Sequence, residues 1–264
     1  MQNKWQASVF LKASAALHAG VAASALVWPN TMVFGIASLI ANHALLAGAS
    51  LWPRSSLLGP NVLRLSGGRA EIALTIDDGP DPQVTPQVLD ILAEKNIKAT
   101  FFCIAAKLVK YPELVQRMVA EGHHIENHSM QHRHYFSVMG MGGMKKEIML
   151  AQQAIEEATG RKPQFFRAPA GLRNPFLDPV LHKLDLKLVS WTRRGFDTRV
   201  HDAKKITKRL LANAKAGDIL LLHDGNSSRK GNGQAVILEV LPQLIDKLKQ
   251  QNLHFVRIAD GMRV

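Results

Sequence analysis

The sequence contains one cysteine and few aromatic residues. Cys103 is the single thiol among 264 residues, so the chain can form no internal disulfide and no cysteine-based zinc cluster. Because Cys103 lies within the apolar run 100–104, we interpret it as a core residue. Aromatic residues make up 6% of the chain and no basic stripe alternates with them, so we expect no nucleic-acid partner.

Acidic residues are missing from the first part of the chain. Residues 1–53 contain no Asp or Glu, and Lys4 and Lys12 are their only Lys or Arg residues. The whole chain has 33 Lys and Arg residues against 21 Asp and Glu, a net charge of +12. Such an excess fits a nucleic acid, an anionic membrane surface or an acidic substrate, and it equally fits a solvated basic surface.

Two long apolar runs occupy this acid-free region. They cover residues 8–28 and 31–52, and each is about long enough to cross a bilayer core as a helix. Tryptophans, which favour the membrane interface, stand near the ends of the runs at Trp5, Trp28 and Trp52. We therefore predict a hydrophobic helical hairpin that anchors the chain in a membrane. A single span and a cleaved signal peptide are the alternatives.

The number of spans decides on which side of the membrane the rest of the chain lies. A hairpin brings both of its ends to one side, and the nearby positive charges flank that side at Lys4, Lys12, Arg54, Arg64 and Arg69. By the positive-inside rule, two spans place the following domain on the cytoplasmic side of a bacterial inner membrane. One span places the domain in the periplasm instead.

Beyond residue 70, strand patterns alternate with helix patterns. Strands are predicted at residues 71–76, 99–104, 123–126, 164–166, 187–191, 218–222 and 254–256. Helices are predicted between them, at residues 84–94, 113–120, 144–158, 175–183, 203–214 and 235–250. Seven strands alternating with helices predict an α/β fold with a parallel sheet or barrel, in which functional side chains follow the carboxyl ends of the strands.

Two adjacent carboxylates follow the first predicted strand. Asp77 and Asp78 precede Gly79 and Pro80, a pair of residues that turns the chain sharply. Adjacent strand residues point to opposite faces, so we expect one carboxylate to bind a metal ion and the other to act as a base. The alternative is an acidic turn in which an Asp side chain caps the backbone.

A pair of histidines follows the third predicted strand. His128 and His132 have the i, i+4 spacing that places both imidazoles on one face of a helical turn, as in helices that bind zinc. Together with Asp78 they make a three-ligand metal site with positions open to water. His134 is a rival ligand, and His123 and His124 lie nearby in the sequence.

An arginine and a histidine follow two later strands. Arg167, within the sequence Arg-Ala-Pro-Ala-Gly, can keep a carboxylate ionised and oriented. His223 ends the apolar strand 218–222 and is suited to proton transfer near neutral pH. A structural hydrogen bond is the alternative role for His223.

Four segments in this order resemble the motifs of the polysaccharide deacetylase family, the NodB-homology domain of carbohydrate esterase family 4. The segments are residues 75–80, 128–132, 167–171 and 220–223. The resemblance covers about residues 70–258. It implies a distorted (β/α)7-type barrel that holds a divalent metal ion, usually zinc, and hydrolyses an acyl group on a sugar.

The resemblance also implies a role for each motif residue. Asp77 resembles the general base, His223 the general acid, and the backbone N–H of Ala170 a donor to the tetrahedral oxyanion. The implied metal ligands are Asp78, His128 and His132. A metal ion there polarises the acyl carbonyl and lowers the pKa of bound water to about 7. Arg167 resembles the residue that positions Asp77.

The sequence departs from the family pattern in two places. Asp197 matches the aspartate that hydrogen-bonds the catalytic histidine, but Thr198 replaces the tryptophan that usually follows it. Ala170 stands where the family usually has an aromatic residue. Both departures bear on the substrate rather than on the reaction, because the implied ligands, base and acid are all present.

The expected organisation is a membrane anchor at residues 1–53, a linker at residues 54–69 and a catalytic domain at residues 70–264. The expected function is metal-dependent removal of an acyl group, with N-acetyl as the leading candidate, from a glycan or a lipid-linked sugar. The alternatives are deformylation of a lipid-linked amino sugar and non-catalytic glycan binding at a membrane. We also expect the loop 224–234 to border the cleft.

Overall fold

The computed structural model describes residues 4–262, and its first elements are two long apolar helices. Helix α1 (Val9–Val27) begins after Ser8, whose hydroxyl accepts a hydrogen bond from a backbone N–H of the first turn. A short 3₁₀ turn (Pro29–Thr31) leads into helix α2 (Met32–Leu51). Both helices are long and apolar enough to cross a membrane, and they coincide with the two predicted apolar runs.

Polar side chains lie between these two helices. Asn42 is buried, and its Nδ2 donates a hydrogen bond of 2.9 Å to Oγ of Ser14. The rings of His18 and His43 meet edge to face, with their centroids 5.2 Å apart. In apolar surroundings such pairs satisfy polar groups across a helix interface. Large apolar side chains such as Phe34 remain exposed, so the pair presents an apolar outer surface.

The described part of the chain contains eight strands in one parallel sheet. They are β1 (Glu71–Asp77), β2 (Thr100–Cys103), β3 (His124–Asn127), β4 (Phe165–Phe166), β5 (Lys187–Leu188), β6 (Arg193–Arg194), β7 (Ile219–His223) and β8 (His254–Val256). Seven strands pair in the order β5-β4-β3-β2-β1-β7-β6, and β8 pairs with the amino-terminal half of β1. The sheet curls into a parallel half-barrel.

Helices connect the strands and cover the sheet. They are α3 (Thr85–Glu94), α4 (Ala105–Lys110), α5 (Pro112–Ala120), α6 (Met141–Thr159), α7 (Leu177–Leu184), α8 (Ala203–Leu211), α9 (Ile237–Gln250) and α10 (Ile258–Gly261). Leu241, Leu244 and Leu248 recur at helical spacing and form the buried face of α9. This face packs in the largest core cluster with strand residues such as Leu74 and Leu222.

The predicted fold class is confirmed, and each predicted element of the barrel begins and ends within three residues of the observed one. Strand β6 and helices α4 and α10 were not predicted. Strand β6 consists of Arg193 and Arg194, which pair with Leu220 and Leu221 of β7 through the backbone. Because both of its residues are charged arginines, the hydropathy pattern gives no indication of a strand there. Helix α4 is too short to show a helical period.

Residues 54–69, which were expected to form a linker, pack on the barrel. Leu58 and Leu65 are buried. Val62 forms a parallel bridge with a residue of the loop after β5. Nη2 of Arg64 lies 2.7 Å from Oδ1 of Asp218. The segment therefore holds the helix pair close to the barrel.

The two ends of the helix pair that lie away from its connecting turn, the start of α1 and the end of α2, both contact the barrel. We call them the outer ends. The backbone N–H of Arg173 donates to the carbonyl of Ser50 at 3.2 Å. Oγ of Ser190 donates to the carbonyl of Pro53 at 2.6 Å. Arg173 and Ser190 belong to the loops after β4 and β5, so the end of α2 lies beside the carboxyl ends of these strands. On the other side, Nε1 of Trp5 donates to a carboxylate of helix α7 at 2.8 Å.

Candidate active site

A cavity of about 220 Å³ opens at the carboxyl ends of the strands. Asp77 ends β1 and lies in register with His223, which ends the neighbouring strand β7. Both line the cavity, together with Asp78, His128, His132, His134 and Ala170. Arg167 and Asp197 are buried behind this wall. All eight residues of the predicted site therefore lie in or directly behind one cavity.

The two adjacent carboxylates face the same space. Oδ1 of Asp78 lies 3.2 Å from Nε2 of His128, and Oδ2 of Asp77 lies 4.0 Å from the same atom. The expectation that they point to opposite faces is wrong, because the strand ends at Asp77. Asp78 has a left-handed φ of 74°, which turns its side chain back towards the cavity.

Asp78, His128 and His132 form a compact cluster of metal-ligating atoms. Nε2 of His132 lies 3.3 Å from Oδ1 of Asp78, and one ligand atom from each residue lies within 4.8 Å of the others. Oδ1 of Asp78 is buried and has no hydrogen-bond donor. A carboxylate and two imidazoles are a ligand set typical of zinc and similar divalent ions, so these residues fit a metal ion.

The two histidines lie on an irregular loop, so the prediction of a helical turn is wrong. Ser129 and His132 have left-handed φ values of 66° and 50°, which a right-handed helix excludes. Side chains hold the loop: Oδ1 of Asn127 accepts from the N–H of Ser129, and Oγ of Ser129 accepts from the N–H of His132. The rings still converge, with their centroids 4.8 Å apart.

A hydrogen bond orients the first of these histidines. Nδ1 of His128 lies 2.7 Å from the carbonyl of Arg167, and because a carbonyl only accepts, Nδ1 carries the proton. Nε2 is therefore the nitrogen available to a metal ion. The rival ligand His134 lines the cavity but lies outside the cluster. His123 and His124 lie at the opposite end of β3.

Arg167 is a buried cation that binds the first carboxylate. Its Nη1 donates to Oδ1 of Asp77 at 2.6 Å and to Oγ1 of Thr75 at 2.8 Å, and its Nη2 donates to the carbonyl of Ser190 at 3.0 Å. Its guanidinium lies 4.1 Å from the ring centroid of Phe102. Burial lowers the pKa of Arg167, and the charge of Asp77 opposes that shift. The network fixes the carboxylate of Asp77 in one orientation.

His223 is paired with a fully buried aspartate. Its Nδ1 lies 3.0 Å from Oδ1 of Asp197, and its backbone N–H donates to Oδ2 of the same residue at 2.7 Å. Burial alone would lower the pKa of His223, but the charge and hydrogen bond of Asp197 outweigh it and raise that pKa to about 9. The imidazole is therefore protonated at neutral pH.

The ligand cluster is tuned towards ionised carboxylate and neutral imidazole. Burial acts to raise the pKa of Asp78, but the nearby imidazole of His128, 3.2 Å away, together with those of His223 and His132, holds that pKa well below its ordinary value. Burial and the neighbouring His128 lower the pKa of His132 to about 4. An ionised carboxylate and a neutral imidazole are the protonation states that bind a metal ion.

Two further residues support the site, and the sequence assigned neither of them a role in it. Asp224 is buried and accepts a hydrogen bond of 2.5 Å from Oγ1 of Thr85, and burial raises its pKa to about 7. A Cβ at Gly79 would overlap this carboxylate, so only glycine fits there. Nδ2 of Asn226 donates to Oδ2 of Asp78 at 3.1 Å, and through Asn226 the loop 224–234 borders the cavity. The position of Asp224 next to His223 was the only available signal.

Comparison with known proteins agrees with this geometry. A family model described as polysaccharide deacetylase matches residues 65–189. The chain is 34% identical over 194 residues to a peptidoglycan-N-acetylglucosamine deacetylase of Bacillus cereus, a match that covers 73% of this chain and 88% of that protein. It is 33% identical over 196 residues to a chitooligosaccharide deacetylase of Sinorhizobium fredii, covering 70% and 91% respectively.

Solved structures give the same result. A crystal structure of a peptidoglycan N-acetylglucosamine deacetylase superimposes with a TM-score of 0.70 at 29% identity, over 76% of this chain and 92% of that one. Fold and sequence together show that this chain belongs to the polysaccharide deacetylase family. It is a metal-dependent carbohydrate deacetylase.

Proposed function

We propose that this enzyme removes the acetyl group from an N-acetylated amino sugar at a bacterial membrane surface. The observation that carries the proposal is the convergence of Asp77, the cluster around Asp78 and the protonated His223 on one cavity. The related enzymes named above act on N-acetylglucosamine in peptidoglycan and on chitooligosaccharides, which supports an N-acetylamino sugar as the substrate.

The proposed metal is zinc, held by Asp78, His128 and His132. Three protein ligands leave coordination positions open, as catalytic zinc sites require. When bound, the ion supplies a Lewis acid that polarises an acyl carbonyl and acidifies water. The hydrogen bond from His128 to the carbonyl of Arg167 keeps that ligand in place and in the correct tautomer.

Asp77 and His223 divide the proton transfers. Asp77, oriented by Arg167, takes a proton from the attacking water as the new carbon–oxygen bond forms. His223 gives its proton to the sugar nitrogen as the amide carbon–nitrogen bond breaks. The products are acetate and a free amine. Since the pKa of His223 is raised to about 9, the acid is in its protonated form at neutral pH.

The remaining predicted residues support these steps. Asp197 holds the imidazole of His223 and stabilises its positive charge. Ala170 has a left-handed φ of 54° at the cavity wall, and we assign its backbone N–H to the developing oxyanion. Its small side chain leaves that wall open, where an aromatic residue would contact the sugar.

We further propose that residues 1–53 form a two-span membrane hairpin, with residues 54–69 joining it to the catalytic domain of residues 70–264. Two observations support a hairpin: the helices pack through Ser14 and Asn42, and their outer ends both contact the barrel. Together with the positive charges at that end, a hairpin favours the cytoplasmic face of the inner membrane.

Acetate release by the detergent-solubilised full chain tests the proposed reaction. Oligomers of N-acetylglucosamine serve as substrate, after chelation and with zinc added back. We expect zinc-dependent release that disappears in Asp77→Asn. Release of formate from an N-formyl sugar, without acetate from the N-acetyl sugar, would replace deacetylation by deformylation. Protein that binds the sugar without releasing either acid would be a binding module.

Protease protection in membrane vesicles tests the proposed topology. In right-side-out vesicles, we expect the catalytic domain to resist added protease until the membrane is opened. Digestion in intact vesicles would instead place the domain in the periplasm and leave one span. A periplasmic domain would not affect the proposed reaction, because the cavity is formed within the barrel.

A further inference from the structure

A second cavity, of about 400 Å³, adjoins the active site on the side of the membrane helices. Trp191 and Arg194 line both cavities. The far wall is formed by Trp52 and Arg54, which directly follow the end of α2. A ligand could therefore extend from the active site to the end of the apolar helix pair.

The second cavity is strongly basic. Four arginines line it, Arg54, Arg193, Arg194 and Arg209, and its described lining contains no carboxylate. We call it the cationic cavity. Arg193 already has an acidic partner, because its Nε lies 3.0 Å from a carboxylate oxygen of Asp218, which Arg64 also contacts. Within residues 4–262, the other three guanidiniums form no ion pair.

Aromatic rings fix two of these free guanidiniums in place. Arg194 lies 5.4 Å from the ring centroid of Trp191 and 5.1 Å from that of Phe196. Arg209 also contacts Phe196, with its guanidinium 5.7 Å from the centroid of that ring. Nε of Arg194 is buried and has no hydrogen-bond partner. The cavity therefore contains two cations that contact aromatic rings and that no carboxylate among the described residues pairs with.

Guanidinium groups recognise phosphate through paired N–H donors. Several of them in one cavity, without a carboxylate, match a phosphate or diphosphate better than a neutral sugar. The wall at Trp52 lies where the second apolar helix ends, at the level where a lipid chain would enter the membrane. The sugar would then lie in the active site, the phosphate in the cationic cavity and the lipid at the end of the helix. The phosphate would thus lie between the sugar and the lipid.

We infer that the cationic cavity binds the phosphate or diphosphate ester through which the substrate's amino sugar is joined to a membrane lipid. This inference rests on the proposed deacetylation and adds the class of its substrate. Arg54, Arg194 and Arg209 hold the phosphate oxygens, and the N-acetyl sugar reaches the active-site cavity past Trp191. The enzyme therefore acts on a phospholipid-linked sugar in preference to a free glycan.

Three substrates with the same N-acetylglucosamine group test this inference on the full chain in detergent micelles. One is joined by diphosphate to a polyprenyl lipid, one is a water-soluble 1-phosphate methyl ester, and one is the neutral methyl glycoside. We expect kcat/KM to be at least about tenfold higher for either phosphate ester than for the neutral glycoside. A further gain for the lipid over the soluble ester would identify a lipid-linked source.

Arg209→Gln and Arg54→Gln test the cavity itself. Each should lower the ratio of kcat/KM for the phosphate ester to that for the neutral glycoside by about tenfold. Lys208→Gln is the matched control, because Lys208 is an exposed cation beside Arg209 on helix α8 but does not line the cavity. It should leave the ratio unchanged. Inhibition by inorganic diphosphate should weaken in the two arginine variants and not in the control.

Three results would overturn the inference in different ways. Equal kcat/KM for all three substrates would show that no phosphate site exists, while leaving the deacetylase reaction intact. A second result is that the arginine substitutions lower kcat/KM only when anionic phospholipid is added, and equally for the neutral glycoside. That result would show that the cavity binds the headgroups of bilayer lipids and not the substrate. Absence of acetate from every substrate, the neutral glycoside included, would refute the proposed reaction itself.

Discussion

The two adjoining cavities treat positive charge in opposite ways. In the active site, Arg167 is fully buried, and its guanidinium contacts hydrogen-bond acceptors and two aromatic rings; the acceptors include Asp77 at 2.6 Å. In the cationic cavity, Arg54 and Arg209 are exposed, and no carboxylate in the described part of the chain pairs with them. The first region is organised before any ligand arrives. In the second, residues 4–262 supply no anion for these two arginines, as the proposed phosphate site requires.

This difference predicts that losing a charge matters most where the charge is buried and paired. Asp77→Asn removes the proposed base and leaves Arg167 buried without a counter-charge. We expect acetate release to fall by about 10³ and the protein to lose about 3 kcal/mol of stability. The measurements are acetate release and thermal unfolding of the detergent-solubilised protein.

Asp90→Asn is the exposed counterpart of that substitution. Asp90 also pairs with an arginine at 2.6 Å, Arg117, but the pair is exposed on the surface. We expect its loss to change stability by less than about 1 kcal/mol and to leave activity unchanged. Equal effects of the two substitutions would contradict the comparison, since burial would then not matter.

The metal cluster should show the next largest effect. His132→Ala removes one of three ligands, and we expect zinc affinity to fall at least about 100-fold, with loss of acetate release at limiting zinc. His134→Ala is the control, because His134 lines the same cavity outside the cluster. Competition with a chromogenic chelator measures both affinities. Zinc loss from His134→Ala alone would reassign the ligand.

The pairing of His223 predicts a pH effect of known sign. Asp197 raises the pKa of His223 against the effect of burial, so in Asp197→Asn that pKa must fall. His223 then loses its proton at a lower pH, and the alkaline limb of the pH–rate profile should move towards neutral pH. We also expect kcat to fall by roughly 10- to 100-fold. An unmoved limb would mean that His223 is not the acid.

Much of the active site could be predicted from the sequence, because each motif directly follows a strand. Asp77 and His223 come together because parallel strands carry their carboxyl ends to one edge. Backbone conformation was not predictable in the same way. The left-handed φ of Asp78 accompanies a tertiary hydrogen bond, from Nζ of Lys107 to its carbonyl, and that of Ser129 accompanies a local side-chain bond from its N–H to Asn127. Spacing alone therefore suggested a strand and a helix where the chain forms loops.

The cationic cavity could not be predicted from the sequence, because its arginines are far apart along the chain. Arg54 lies beside the second apolar helix, whereas Arg194 and Arg209 lie about 140 residues or more further along the chain. Only the docking of α2 on the loops after β4 and β5 joins them. Two adjacent arginines, Arg193 and Arg194, looked equivalent in sequence, yet among residues 4–262 only the first has a carboxylate partner. The sequence showed an excess of positive charge, but it did not show which of the cations line a common cavity.

The smallest expected effect is a difference in how salt changes kcat/KM through the charges of the two cavities. Exposed charges are screened at a Debye length of about 8 Å near physiological ionic strength and about 3 Å at 1 M, whereas buried pairs are screened much less. Raising the salt concentration should therefore lower kcat/KM for the phosphate ester by about threefold, acting on Arg54 and Arg209. For the neutral glycoside it should change little, because Arg167 and Asp77 are buried. Arg209→Gln should show a weaker salt dependence with the phosphate ester than the unmodified chain. An equal salt response with both substrates would place the screened charges outside the cationic cavity.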